Sequence, residues 1–369
     1  MCRYYLLALL SISLATRVVV AQEKRVTLFF AGDAMQHTPQ IYAAKTDSGY
    51  NYEPVFELIT NKIDSADIAG VNLETTFGGK PYTGYPTFSS PKVYATALYQ
   101  AGFNLFFTAN NHALDTGKEG LEQTIQTIKK LGAKQTGTFV SDEERSLNYP
   151  LMLIKNGIRI AFLNYSYGIN GLKVSPPNIV NLIDTTLIKK DIVAAQKLQP
   201  DILIAVMHWG EEYHTQPSRH QKKIAQFLFS HNVRIIIGHH PHVVQPIQTF
   251  TQGDSITHTV FYSLGNFVSN QRKEDRDGGM LAHIVLSKAH KDAPVAIQSV
   301  DYSLIWVQKY FKTYKPIFRI LPIQKDTTGY NLQPGEQWAI DRLGSWYNFV
   351  FARHNLYRLV RAKDQESVA

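Results

Sequence analysis

Cysteine is almost absent from this chain of 369 residues, and the one cysteine is Cys2. Residues 1–21 are typical of a secretory signal peptide, with Arg3 ahead of an apolar stretch and Ala21 at a small-residue cleavage site. If cleavage follows Ala21, the mature chain has no cysteine, which excludes a disulfide, a thiolate-bound metal and a cysteine nucleophile. We therefore expect an exported protein, periplasmic or otherwise extracytoplasmic.

Long hydrophobic runs and dense clusters of one charge are also missing. The apolar stretch at 4–14 is shorter than the roughly 18 residues that a spanning helix needs, so we expect no transmembrane span in the mature chain. Lys and Arg number 38 against 30 Asp and Glu, but they are scattered and form no basic stripe with interleaved aromatics. This argues against nucleic-acid binding, whereas a net charge of +8 suits an acidic partner.

From Arg25 onward the chain has a regular alternation of apolar strands and amphipathic helices. Near-continuous apolar segments separated by helices indicate an α/β protein with a buried, largely parallel sheet. The predicted strands of this part are 26–32, 66–72, 103–109, 158–163, 202–207 and 233–237. The predicted helices include 117–131 and 219–230. Later strands without intervening helices are predicted at 258–263, 281–286 and 295–307.

The length of the chain predicts more than one structural unit, because single cores rarely grow beyond roughly 250–300 residues. We expect a core domain at 26–290 and a C-terminal extension at 300–369. Within the extension, residues 333–361 carry an apolar stripe with the period of a helix. The favoured interpretation is a helix docked on the core, and a role at a membrane surface is the alternative.

Polar side chains follow five of the predicted strands, at the points where the strands end. Ligands of parallel α/β sheets bind beyond the carboxyl ends of the strands, so these side chains should converge in space. They are Asp33, Gln36 and His37; Asn72 and Glu74; Asn110, Asn111, His112 and Asp115; His208, Glu211 and Glu212; and His239, His240 and His242. One polar residue at a strand end is usually a turn former, but five clusters in strand order favour a binding site.

Carboxylates, amide oxygens and imidazoles are together ligands of divalent Mn, Fe or Zn. A carboxylate that bridges two such ions creates a two-metal centre, which activates water and holds the oxygens of a phosphoryl group. His240 and His242 are the strongest part of the pattern, because both rings project to one side of an extended segment. Glu211 and Glu212 are weaker candidates, since acids at that point could also cap the next helix.

The same residues, in the same order, closely resemble the motifs of the CapA family of capsule or poly-gamma-glutamate biosynthesis proteins. The matching motifs are Gly32-Asp33, Asn72-Leu73-Glu74, Ala109-Asn110-Asn111-His112, and the segments 208–213, 238–243 and 263–267. The resemblance covers roughly residues 26–290. It implies the calcineurin-like metallophosphoesterase superfamily and therefore an α/β fold, a four-layer α/β/β/α sandwich, here with a C-terminal extension.

The resemblance also implies a role for each residue. Two divalent metal ions (Mn, Fe or Zn) would be bound by Asp33, Glu74, Asn111, His208, His240 and His242. His112, oriented by Asp115, would protonate the leaving oxygen. Predicted substrate contacts are His37, Asn72, Asn110, Glu212, His239 and Asn266. The chain departs from the superfamily pattern with Met35 in place of a histidine, Glu74 in place of an aspartate, and Gly238 one residue further from the His-x-His.

Two functions remain open on the sequence. The first is a metal-dependent hydrolase or transferase of the cell envelope that acts on a phosphoester or on an anionic polymer such as poly-gamma-glutamate. The second is a non-catalytic assembly or export factor that holds an anionic polymer in the same pocket. Either protein could work with envelope polymer-synthesis machinery.

A further expectation concerns the loop 78–88, which follows Glu74 and is rich in Gly, Pro and Tyr. Because it leaves a strand end that carries a candidate ligand, it should begin near the rim of the pocket. We predict that Lys80 in this loop contacts an acidic polymer. The alternative is an ordinary connecting loop.

Overall fold

The computed structural model describes residues 23–273, 275–323, 330 and 332–345 of the chain. The strands are β1 Lys24–Ala34, β2 Lys45–Thr46, β3 Gly49–Tyr50, β4 Ile68–Leu73, β5 Leu105–Phe107, β6 Lys134–Thr136, β7 Thr138–Phe139, β8 Leu151–Lys155, β9 Ile158–Ser166, β10 Ile179–Val180, β11 Ile202–His208, β12 Val233–His239, β13 Ile247–Gln252, β14 Ser255–Phe261, β15 Asn266–Val268, β16 Gly278–Lys288, β17 Ala296–Lys312 and β18 Lys315–Pro322. The helices are α1 Thr38–Ala44, α2 Glu53–Phe56, α3 Thr60–Asp64, α4 Val93–Gln100, α5 Gly117–Lys130, α6 Asp142–Asn148, α7 Thr185–Lys197 and α8 Arg219–Ser230. The predicted strands and the two predicted helices all have counterparts among these elements.

The main sheet folds back on itself into two halves. One half has the strand order β6-β5-β4-β1-β16-β17, with β18 on β17, and the other has the order β14-β12-β11-β9-β8, with β13 on β14. A single pair, Ile256 with Ile297, joins β14 to β17. Strands that helices connect are parallel, as predicted, while β16, β17 and β18 pair antiparallel because short turns connect them. Each half is therefore a mixed sheet.

Three apolar clusters define the layers. Between the sheets, the ring of Phe162 lies 6.4 Å from Phe30 and 6.2 Å from Phe107. The alternate face of the first sheet, which includes Phe29, packs on α1 to α4, and the outer face of the second packs on α7 and α8. Because both faces of each sheet are covered, the strands are apolar along almost their whole length. The predicted four-layer α/β/β/α sandwich is confirmed.

The later part of the chain continues the first sheet, since β17 pairs with β16 and β18 pairs with β17. Residues 336–345 are helical, and Ile340 and Leu343 are buried in the cluster between the sheets. The rest of the predicted helix to 361 and the predicted signal peptide at 1–21 lie outside the described residues. The division of the chain into a core domain at 26–290 and a C-terminal extension at 300–369 remains a prediction. No helix among the described residues is long and apolar enough to cross a membrane.

Candidate metal centre and catalytic site

The ends of strands from both sheets bring the candidate residues together. Asp33 lies near the end of β1, Glu74 follows β4, and His208 and His239 are the last residues of β11 and β12. The carboxyl ends of parallel strands share one edge of a sheet, and sandwich packing places the two edges side by side. In the register of β1 and β15, Asp33 is also paired with Asn266.

Asp33, Glu74 and His208 form the centre of the cluster, with one ligand atom from each lying within 4.8 Å of the others. All three side chains are fully buried. His242 joins them through both ring nitrogens: Nδ1 lies 3.0 Å from Asp33 Oδ2, and Nε2 lies 3.7 Å from Glu74 Oε1. His208 Nε2 lies 3.9 Å from the same Glu74 oxygen. Two imidazoles thus face one carboxylate oxygen at non-bonded distances.

A second group lies beside the first. One ligand atom each from Glu212, His240 and His242 lies within 4.8 Å of the others. The rings of His208 and His240 are 4.8 Å apart, and Asn111 Oδ1 lies 2.7 Å from His208 Nε2. Through His242 and His208, the two groups form one continuous site that contains all six predicted metal ligands.

Two buried amides orient the carboxylates. Asn72 Nδ2 donates to Asp33 Oδ1 at 2.8 Å and to Glu74 Oε2 at 3.2 Å. Asn110 Nδ2 donates to Asn72 Oδ1 at 3.2 Å and to the Leu73 carbonyl at 2.8 Å. The structure therefore gives these predicted substrate contacts a positioning role behind the ligands.

His112 and Asp115 form a pair beside the cluster. His112 Nδ1 lies 2.7 Å from Asp115 Oδ2, and the Phe88 backbone N–H donates to the same oxygen at 2.7 Å. The edge of the Phe88 ring packs on the imidazole with centroids 4.6 Å apart. Nδ1 is thus engaged by Asp115, which fixes the orientation of the imidazole.

The other predicted contacts differ in their surroundings. His37 Nδ1 accepts from the Asn270 backbone N–H at 3.3 Å, and burial lowers the pKa of this imidazole to about 4. His239 Nδ1 lies 3.5 Å from Asp33 Oδ1. Lys80 is exposed, and among the described residues no contact joins it to the cluster. Its predicted contact with polymer stays a prediction.

Burial and neighbouring charges set the ionisation of the centre. Burial opposes the charge of Asp33, but contacts with His239 and His242 outweigh it and hold the pKa well below the usual range. Burial and then the charge of Asp33 raise the pKa of Glu74 well above its usual range. Burial likewise lowers the pKa of His208 and, with His242, lowers that of His240 to about 3. Both imidazoles are therefore neutral, the form that binds metals.

Orphaned polar atoms show that these residues fit divalent cations. Within the part of the chain that the structure describes, no hydrogen-bond partner reaches the buried atoms Glu74 Oε1, His240 Nδ1 and the two ring nitrogens of His239. Buried polar atoms in native proteins rarely lack partners, and unpaired ones indicate a place for an ion or a water molecule. Ligand atoms about 2.0–2.2 Å from one ion lie roughly 3–4 Å from each other, which matches the 3.7 and 3.9 Å distances around Glu74 Oε1.

The loop after β12 is strained where it carries the two outer imidazoles. His240 has φ of 97° and His242 has φ of 58°, a left-handed conformation that residues other than glycine rarely adopt. Each costs on the order of 1–3 kcal/mol, and such strain concentrates at functional sites. The surrounding packing thus holds both rings toward the cluster.

Tyr167 and Asn170 belong to the site but escaped the sequence analysis. The ring of Tyr167 lies 4.4 Å from that of His240, and Asn170 Oδ1 accepts from Asn111 Nδ2 at 3.2 Å. The available signal was the polar run that begins at Asn164, because β9 ends within that run, at Ser166, as the other site strands end in polar residues.

A model of the bacterial capsule synthesis protein family PGA_cap matches residues 27–271. The chain belongs to this family. The predicted resemblance is thereby confirmed, and every predicted site residue lies inside the matched part.

Curated relatives of this PGA_cap chain include two capsule proteins. The chain is 28% identical over 266 residues to capsule biosynthesis protein CapA of Bacillus anthracis, covering 68% of this chain and 61% of that protein. It is 31% identical over 180 residues to PGA biosynthesis protein CapA of Bacillus subtilis (strain 168), covering 47% and 44%. The chain thus spans less than two thirds of the length of either relative.

Solved structures similar to this PGA_cap chain are more distant. They include the NAD nucleotidase NadN of Haemophilus influenzae, with a TM-score of 0.47, 11% identity, and coverage of 78% of this chain and 52% of that one. Another is the calcineurin-like phosphoesterase YfkN from Bacillus subtilis, with a TM-score of 0.42, 13% identity, and coverage of 77% and 91%.

Proposed function

We propose that this PGA_cap chain is a metal-dependent hydrolase of the cell envelope, phosphoesterase-like in its chemistry, that acts on an anionic substrate during capsule or poly-gamma-glutamate synthesis. The observation that carries the proposal is Glu74 Oε1, which is buried without a hydrogen-bond donor and faces two imidazole nitrogens at 3.7 and 3.9 Å. Among the described residues, nothing donates a hydrogen bond to this oxygen. A cation is the simplest group that would satisfy it.

Asp33, Glu74, Asn111, His208, His240 and His242 would hold the metal ions, two by our proposal, with Mn, Fe or Zn as candidates. Bound divalent ions supply an activated water and positive charge against phosphoryl oxygens. Glu74 would serve both groups of ligands, because it lies between His208 and His242.

His112 is the proposed proton donor to the leaving oxygen. Asp115 fixes the imidazole through Nδ1 at 2.7 Å, so the proton that moves is the one on Nε2. The Phe88 ring packs against the imidazole and excludes water from one of its sides. A carboxylate that orients an imidazole in this way is the arrangement of a general acid.

The same pair separates the hydrolase from the alternative, a non-catalytic factor that holds a polymer for assembly or export. A site that only binds a polymer needs positive charge and hydrogen-bond donors, but it does not need an oriented proton donor, because no proton is transferred. The His112 and Asp115 pair therefore favours catalysis.

The direct test uses purified protein reconstituted with Mn²⁺, with p-nitrophenyl phosphate and poly-gamma-glutamate as substrates and metal content measured by mass spectrometry. We predict that His112→Ala keeps its metal and loses about 10²–10⁴-fold in turnover, as expected for a lost general acid. His220→Ala, on an exposed helical position, is the matched control and should change neither quantity.

Metal loss in His112→Ala would make His112 a ligand, and unchanged turnover would remove it from the mechanism. Wild-type protein that holds metal and polymer but hydrolyses neither substrate would favour the assembly factor.

We also propose that residues 1–21 direct export and that the mature chain works with the envelope polymer-synthesis machinery. Expression in a bacterium that exports proteins and removes their signal peptides should yield extracytoplasmic protein that begins at Gln22. Cytoplasmic protein with an intact N-terminus would contradict this.

A further inference from the structure

Arg276 is a half-buried cation beside the site, in the loop between β15 and β16. Its guanidinium carbon lies over the ring of Tyr213, 3.3 Å from the centroid. None of the ion pairs among the described residues involves this guanidinium. The charge is therefore held against an aromatic ring, and no acid among the described residues forms an ion pair with it.

Two sets of contacts tie Arg276 to the metal centre. On the side-chain side, the ring of Tyr213 lies 6.1 Å from that of His242, and the Tyr213 backbone N–H donates to the Pro241 carbonyl at 2.7 Å. On the backbone side, Asn266 Nδ2 donates to the Arg276 carbonyl at 2.8 Å and to the His242 carbonyl at 3.3 Å. Arg276 and His242 are thus held in a fixed relation.

We infer that Arg276 binds an oxyanion of the substrate, a phosphate or a carboxylate, at the mouth of the metal centre. The inference rests on the proposed function and adds the residue that would select an anionic substrate. A guanidinium packed by its face on a ring keeps its edge donors free, and their fork matches two oxygens of one oxyanion.

The charges of the site give a reason for such a cation. Glu212 is the exposed carboxylate of the site and would repel an arriving anion at the mouth, whereas bound metal ions would offset the charges of the buried Asp33 and Glu74. A positive group at the mouth offsets this repulsion and raises the local concentration of an anionic substrate.

The test measures equilibrium binding by calorimetry to the full Mn²⁺-loaded protein, with inorganic phosphate and a short γ-linked glutamate oligomer as separate probes. Arg276→Gln should weaken binding of the probe that represents the true oxyanion by about 10- to 100-fold, the loss expected for a hydrogen bond to a charged group. Arg276→Lys should fall between, because it keeps the charge and loses the fork.

Lys273→Gln is the matched control, since it removes one exposed positive charge from the same loop. Its affinity for both probes should equal that of wild type. A second pair of variants tests the aromatic support: Tyr213→Phe should keep the affinity, and Tyr213→Leu should lower it about as much as Arg276→Gln.

Equal affinities of wild type and Arg276→Gln for both probes would overturn the inference, and so would an equal loss in Lys273→Gln or a wild type that binds neither probe. The proposed function is tested separately, by measuring turnover. Binding that depends on Arg276, without any hydrolysis, would support the inference about Arg276 and contradict the proposed hydrolase function. Hydrolysis with the same KM in wild type and Arg276→Gln would support the hydrolase function and contradict the inference about Arg276.

Discussion

Glu74 is completely buried, and its Oε1 has no hydrogen-bond partner among the described residues, while its Oε2 accepts from Asn72. Burial and the charge of Asp33 raise the pKa of its carboxyl well above the usual range. A bound cation reverses this effect, because positive charge favours the carboxylate form. The same side chain should therefore weaken the metal-free fold and strengthen the metal-bound one.

This gives a prediction for Glu74→Gln. An acid whose pKa is raised on folding favours the protonated form, so the stability of the metal-free protein falls as pH rises above the ordinary value of 4.5. Glutamine removes that loss, and we expect the melting temperature of the chelator-treated variant at pH 7 to exceed that of wild type by about 2 °C or more. Calorimetry at pH 5 and pH 8, with and without Mn²⁺, checks this.

The variant should also lose most of the stabilisation that Mn²⁺ gives to wild type, because binding to the folded state is what raises the melting temperature. A lower melting temperature in the metal-free variant would show that Glu74 is satisfied without a cation.

At the scale of elements, two glycines allow the segments of the site to touch. A Cβ on Gly32 in β1 would lie 2.0 Å from the Gly265 carbonyl oxygen, and one on Gly238 in β12 would lie 2.0 Å from the Tyr262 carbonyl oxygen. Both obstacles are backbone, which cannot move aside as a flexible side chain does. These glycines therefore set how closely β1 and β12 approach the chain after β14.

We predict that Gly238→Ala destabilises the protein by about 1–3 kcal/mol, the usual cost of overpacking, and lowers metal affinity because β12 carries His239 and leads to His240. Urea unfolding and metal titration measure the two effects. Gly168→Ala is the matched control, since a Cβ there meets nothing within 4 Å. Equal stability of the two variants would contradict the prediction.

The sequence predicts individual strands and helices better than it predicts the tertiary contacts between them. The strands that end at Asp33 and His208 were predictable because both faces of each are buried, and α8 was predictable from its amphipathic period. Arg276 was not, because it reaches the site by packing against Tyr213, which is distant in sequence. The strained backbone at His240 is invisible to periodicity for the same reason.

At the scale of the whole molecule, the site lies on the seam between the two sheets. The first sheet supplies Asp33 and leads into Glu74, while the second supplies His208 and His239. The apolar layer beneath them sets the distance between the ligands of the first sheet and those of the second. Phe162 contributes to that layer through ring contacts with Phe30 of β1 and Phe107 of β5.

Phe162→Ala should therefore lower the free energy of unfolding by about 3–5 kcal/mol, the range for a large buried aromatic ring. It should also weaken metal binding, because the cavity lets the sheets shift. Phe311→Ala, at a side chain that is 62% exposed, is the control and should leave both quantities unchanged. Full metal affinity in a destabilised Phe162 variant would show that the ligands are held independently of the seam.

Asp33 and His242 lie in contact although 209 positions of the chain separate them. The ribosome adds Asp33 long before it adds His242. A growing chain shorter than 242 residues therefore lacks part of the set of ligands. An ion bound by all of them is acquired only after synthesis has passed that point. The metal supply of the compartment in which the chain completes its fold would then decide which element the protein carries.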